Sequence, residues 1–206
     1  MHNPVKALIA LLLFMGVGFA SAADIVVGSI VAARGDVFAD SGSGAQQPLA
    51  VNAPVHRGDT IVTGRGKAKV ALSDGTILSI GENTRVQVSH FASPEANPMV
   101  RLNLFSGVLR PLVNRTTSAG SFEVETQTAI AAVRGTEWLM EATADNTAVA
   151  LLRGRVAVMS RDNRRASVLL QSPGQGTDVA RGQPPKPPAP WGRQRLADLL
   201  VRANYD

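Results

Sequence analysis

Two carboxylates, two histidines and one glycine-rich basic run are the residues here whose types could do chemistry. Glu123 and Glu125 flank Val124, so on an extended strand both point to one side. A facing carboxylate pair is what glycoside hydrolysis requires. Charges on the outer face of an alternating strand are the commoner use of such a pair, however, and few aromatics are present to make a sugar platform. His56 and His90 have no Gly-x-Ser-x-Gly elbow to work with, and their separation carries no metal-ligand signature. An Asp-x-Asp-x-Asp-Gly calcium loop is also missing from the sequence. The run Gly64-Arg65-Gly66-Lys67 invites a phosphate-loop reading, but Ile61 stands where the first glycine should be and Ala68 where a magnesium-binding hydroxyl should be. With no cysteine in the chain, thiol nucleophiles, disulfides and thiolate-held metals are excluded. The sequence therefore predicts no enzyme, no catalytic residue, no cofactor and no metal.

The elements that would position these residues are short and extended. From residue 25 to about 179 the pattern is one of brief apolar-alternating runs broken by Gly and Asp, without the i, i+3, i+4, i+7 stripe of a helix. Strands are expected at 25–33, 36–39, 60–63, 67–72, 77–80, 85–89, 100–104, 108–113, 121–126, 129–133, 137–142, 147–152, 155–160, 167–170 and 177–179. The fold class is all-β: many short strands forming a sandwich, roll or solenoid-like domain. One turn can be worked out in detail. A three-residue loop, Ser73-Asp74-Gly75, pairs Val70 with Leu78 and Ala68 with Ile80 and keeps these apolar side chains on one face, whereas a two-residue turn splits them. Arg34-Gly35-Asp36-Val37, Ser106-Gly107-Val108-Leu109 and Arg153-Gly154-Arg155-Val156 repeat one turn-then-strand device. Their spacing is irregular, so they are not a repeat array.

Residues 1–22 have the build of a secretory signal peptide: Lys6, an apolar run over 7–19, and Ala20-Ser21-Ala22 as the cleavage site before Ala23. An uncleaved anchor is the alternative. Cleavage between Ala22 and Ala23 leaves no integral membrane segment and 20 cations against 16 acids. Export without cysteine fits a bacterial periplasm. Residues 23–182 form the β domain, and 183–190, with five prolines from Pro184 to Pro190, read as a stiff polyproline spacer unable to join a sheet. Residues 191–206 read as an amphipathic tail helix whose apolar stripe, Trp191, Leu196, Leu199 and Leu200, either folds back onto the domain or docks on a partner.

The glycine-bordered strands carry a further signal. In order along the chain come Arg57-Gly58-Asp59-Thr60-Ile61-Val62-Thr63, Asp74-Gly75-Thr76, Leu104 to Leu109 as Leu-x-x-Gly-x-Leu, Thr126 with Ala129, Val133-Arg134-Gly135-Thr136 and Pro173-Gly174-Gln175-Gly176-Thr177. From about Gly28 to Gly176 this succession resembles the FecR domain, the periplasmic sensing module of bacterial iron-dicitrate-type regulators. The resemblance implies a β-rich, non-catalytic domain that relays extracytoplasmic signals by protein contact. Full regulators of that family place an anti-sigma segment and a transmembrane helix ahead of the module, where this chain has its leader.

The expected function is thus an exported periplasmic binding or regulatory module with a protein partner, such as a membrane sensor or a receptor with an extracytoplasmic domain. The alternative is a cell-wall or glycan-binding structural protein of the envelope, suggested by export and a net charge of +5. No nucleic-acid partner is expected, because the cations are not interleaved with stacking aromatics.

Overall fold

The computed structural model describes residues 25–40, 46–92, 99–114 and 121–205. The expected leader, with its expected cleavage site at Ala22 and Ala23, lies outside the described residues.

The chain is all-β apart from one terminal helix, and its ladders sort into two sheets. The front sheet runs β4 (Pro54–His56), β1 (Val26–Arg34), β6 (Lys67–Leu72), β7 (Ile77–Ile80), β9 (Met99–Leu112), β12 (Glu137–Ala142), β13 (Asn146–Arg153), β16 (Gln175–Ala180) and β17 (Ala189–Pro190). The back sheet runs β3 (Gln46–Pro48), β2 (Val37–Asp40), β5 (Thr60–Thr63), β8 (Thr84–Phe91), β9 again, β10 (Ser121–Glu125), β11 (Ala129–Val133), β14 (Val156–Ser160) and β15 (Ser167–Leu170). Of the architectures left open by the sequence, this is the sandwich, with the two sheets facing each other across one apolar core.

Strand β9 belongs to both sheets. Residues Val100 to Ser106 pair with β8 in the back sheet, and Leu109 to Leu112 pair with β7 in the front sheet. The changeover is at Gly107, with φ +93°, a conformation that a side chain resists. The sequence reads this stretch as two strands because the glycine interrupts the alternation. Pairing of β9 with β10 is parallel and joins the two halves of the molecule.

Elsewhere the chain passes back and forth between the sheets, as single strands at β4 and β5 and as hairpins at β6–β7, β10–β11, β12–β13 and β14–β15. The repeated glycine device is a corner on that path: Gly35 lies between β1 and β2 and Gly154 between β13 and β14, both at positive φ. The β6–β7 hairpin has the register expected from apolar parity, Val70 opposite Leu78 and Ala68 opposite Ile80. Its three-residue loop is closed by a hydrogen bond from Leu72 N–H to Thr76 O at 2.9 Å, with Gly75 at φ +80°.

The front sheet is buried on both faces at its centre. Trp138 and Met140 of β12 enter the core between the sheets, while Leu139 points the other way with Val108 and Ala150. Against that outer patch packs α1 (Arg193–Ala203) through Leu199 and Ala203. Burial on both faces explains the unbroken apolar runs Trp138-Leu139-Met140 and Ala148 to Leu151 in an antiparallel sheet.

The proline-rich segment departs from expectation. It does not stand off as a spacer: Ala189 and Pro190 pair with Gly176 and Gln175 as β17. Lys186 N–H donates to Asp178 O at 3.0 Å and Trp191 N–H to Gly174 O at 2.9 Å. The segment can do this because it lies at a sheet edge, where prolines are tolerated if the N–H groups between them face the neighbouring strand.

Candidate interaction surfaces

Apart from the two carboxylates of β10, the residues with chemical potential are kept apart by the fold. Glu123 and Glu125 project from the outer face of β10, since Phe122 and Val124 occupy the core. Both carboxylates bind Arg101 of β9, at 3.2 Å each, and Glu125 also meets Arg164 at 3.5 Å. This arrangement is a cross-strand ion-pair ladder. His56, on β4 of the front sheet, closes a local turn: its backbone N–H donates to Asp59 Oδ2 at 2.8 Å, and its Nδ1 lies 3.3 Å from the same oxygen. His90 is exposed near the end of β8, in the back sheet. Among the described residues no group of three metal-capable side chains converges.

In the basic run, Lys67 has a different use. It is buried, and its Nζ donates to Val201 O at 2.8 Å and Asn204 O at 2.9 Å, carbonyls at the C-terminal end of α1. Those carbonyls have no partner within the helix, and a cation there also meets the negative end of the helix dipole. Arg110 adds a bond to Asn204 Oδ1, and Arg34 and Lys69 both lie 5.6 Å from the centre of the Tyr205 ring. Four cations of the front sheet thus hold the end of the tail. No sequence pattern announces this, because the contacts span more than a hundred residues.

The tail stripe itself is occupied at home. Leu199 is buried, and Trp191, Leu196 and Leu200 pack against the same patch of the front sheet. Trp191 lies over Gly176, where an added Cβ would come within 2.2 Å of the indole. Arg195 stacks on that ring at 3.6 Å while holding Asp178 through two bonds, of 2.6 and 3.1 Å. Burial pushes the Asp178 carboxyl up, but the Arg195 bonds and charge, helped by Asn146 and Lys186, outweigh it and hold the group below its ordinary range.

An open cleft of about 700 Å³ is lined by Leu112, Val113, Asn114, the two corners Arg134-Gly135 and Arg153-Gly154-Arg155, and Gly75 of the β6–β7 hairpin. The corners are locked together by Thr136, whose hydroxyl donates to Arg155 O at 2.9 Å and accepts from Arg155 N–H at 3.3 Å. Gly154 fits against Thr136 so closely that a Cβ would stand 2.7 Å from its hydroxyl. Both glycines have positive φ, +64° and +94°. Arg134, Arg153 and Arg155 are exposed and have no carboxylate partner among the described residues, in contrast with Arg85, Arg101, Arg110, Arg195 and Arg202, which are all paired.

The sequence profile of the FecR family, described as FecR protein, matches residues 59–157. Residues 59–157 have the sequence of a FecR domain. The matched stretch runs from the start of β5 into β14, so it contains β9, the β7–β8 and β11–β12 corners, and the arginine cleft. It is narrower than the span from Gly28 to Gly176 suggested by the motif succession. Two crystal structures of a candidate anti-sigma factor from Parabacteroides distasonis ATCC 8503 share the fold. One aligns with TM-score 0.54 at 20% identity, the other with 0.53 at 21%, each over 68% of this chain and 62% of that one. The chain therefore spans less than two thirds of the length of those structures. No curated protein sequence matches it.

Of the sites named from sequence, the fold brings Glu123 and Glu125 together on Arg101 and keeps His56, His90 and the basic run apart from them. Sequence reasoning missed the Lys67 clamp and the arginine cleft. The cleft had a signal, in that Arg-Gly recurs at 134–135 and 153–154, but nothing showed that the two corners are neighbours.

Proposed function

We propose that this FecR-domain chain is an exported signalling module that works in the periplasm by contact with another protein, a membrane sensor or a receptor with an extracytoplasmic domain, and catalyses no reaction. The observation that carries this reading is the FecR match across β5 to β14. Support comes from the likeness to structures described as candidate anti-sigma factors and from the leader-like residues 1–22. The carboxylates most suited to catalysis are engaged with Arg101 and Arg164, which favours a scaffold over a reactive centre.

Two measurements test the reading. N-terminal sequencing of the protein from a periplasmic extract should begin at Ala23; full-length protein retained in the cytosol would overturn export. Cross-linking in intact cells, followed by mass spectrometry, should enrich one envelope protein with an extracytoplasmic domain. Recovery of cross-links only to peptidoglycan would replace protein contact with wall binding.

A further inference from the structure

We infer that the Arg134, Arg153 and Arg155 cleft is a docking site for an acidic segment of a partner protein. The inference rests on the protein-contact reading above and assigns it a surface and a chemistry. Three arginines line one concavity without a carboxylate partner among the described residues, whereas Arg85, Arg101 and Arg110 on the neighbouring strands are paired. The nearest acids are committed elsewhere. Asp74, beside Gly75, accepts from Thr76 N–H at 2.9 Å and from Thr76 Oγ1 at 3.0 Å, and Glu137 is held by Arg110. Like charges gathered on a scaffold repel each other, and an arriving anion relieves the repulsion. Arginine presents a planar fork that matches a carboxylate with two parallel bonds.

The scaffold is preorganised. Thr136 ties the two corners, so the arginine backbones do not need to be ordered on binding, which limits the entropic cost. The lining also discriminates among anionic partners. It contains no aromatic side chain, so nucleic-acid bases have nothing on which to stack. The large exposed apolar side chains of the described residues, such as Val26, Val31 and Val201, are not part of it, so a lipid surface would meet charge without an inserting anchor. A cleft of about 700 Å³ with separate cations at its rim fits several carboxylates along a peptide better than one small anion.

The test uses the full mature chain and a fluorescein-labelled oligoglutamate peptide, read by anisotropy. The variant R134Q/R153Q/R155Q should weaken binding about tenfold or more and flatten its salt dependence. The control R57Q/R65Q/R193Q removes the same charge from exposed positions elsewhere and should bind as the native chain does. All six side chains are exposed, and a thermal melt by circular dichroism checks that both variants fold. If a triple variant melts early, single Gln variants at the three cleft positions replace it, each expected to lose part of the affinity.

Equal weakening by the two triples, or no peptide binding by the native chain, would overturn the inference. So would arginine-dependent binding of phosphatidylglycerol vesicles or inorganic phosphate in place of the peptide. In cells, a cross-linked partner that persists undiminished with the cleft variant sinks the inference and leaves the protein-contact reading standing, whereas loss of every protein partner in the native strain sinks the reading itself.

Discussion

At the scale of single residues, the corners are what make two sheets out of one chain. Gly107 shows this most sharply. Its φ of +93° is one cost to a side chain, and a Cβ would also stand 2.5 Å from Thr84 Cα. Thr84 cannot retreat, since its hydroxyl accepts from Val108 N–H at 2.9 Å and its own N–H donates to Thr63 Oγ1 at 2.9 Å. Gly107→Ala should therefore destabilise the protein by about 3 kcal/mol or more, measurable as a lower urea midpoint. Thr136→Val, nearly isosteric, removes the hydroxyl that pins the Arg155 backbone and should cost about 1–3 kcal/mol for the orphaned polar groups. The glycines were visible in the sequence. Their work as sheet-switching corners was not, because spacings of 72 and 47 residues show no period: different numbers of strands separate Gly35, Gly107 and Gly154.

At the scale of elements, the tail helix shows where periodicity stops being informative. The stripe of Leu196, Leu199 and Leu200 predicts an amphipathic helix, and α1 is one. Which surface receives it depends on Val108, Leu139 and Ala150, outward-pointing residues of strands that also face the core, and alternation along a strand cannot separate two buried faces. The polyproline reading failed for a related reason: proline content excludes a central strand but leaves an edge available. Lys67→Met should keep the stem packing and lose the two carbonyl bonds, loosening the tail ahead of the sheets. Hydrogen exchange in α1 should accelerate while the sheet amides remain protected. The tail should also respond to acid. The Asp178 carboxyl is held low in the folded protein, so its ionised form favours the docked tail. That contribution is fully present above the unfolded carboxyl value of about 4 and is lost as pH falls through the lower folded value. Trp191 emission should accordingly report undocking below about pH 4, and Asp178→Asn should flatten that titration.

For the whole molecule, the decisive fact is that β9 gives its first half to the back sheet and its second half to the front sheet. Neither half of the chain can therefore unfold while the other keeps its central strand fully paired. The core spans the same junction: Leu102 and Leu104 of β9, Phe122 of β10 and Trp138 of β12 belong to one apolar cluster, with the Phe122 and Trp138 rings edge to face at 5.8 Å. The two sheets thus form one stiff body whose interior stays fixed. Trp191→Phe leaves Trp138 as the sole indole, a reporter buried between the sheets. In that variant, Trp138 fluorescence and far-ultraviolet circular dichroism should trace a single coincident urea transition. Most pairings join residues far apart in sequence, so refolding should be slow, on the order of milliseconds to seconds. Two separated transitions, with Trp138 exposed in only one, would mean that the halves fold as independent units. The shared strand would then be a seam between them, and a signal bound at the arginine corners of one half could not be passed to the other through a common core.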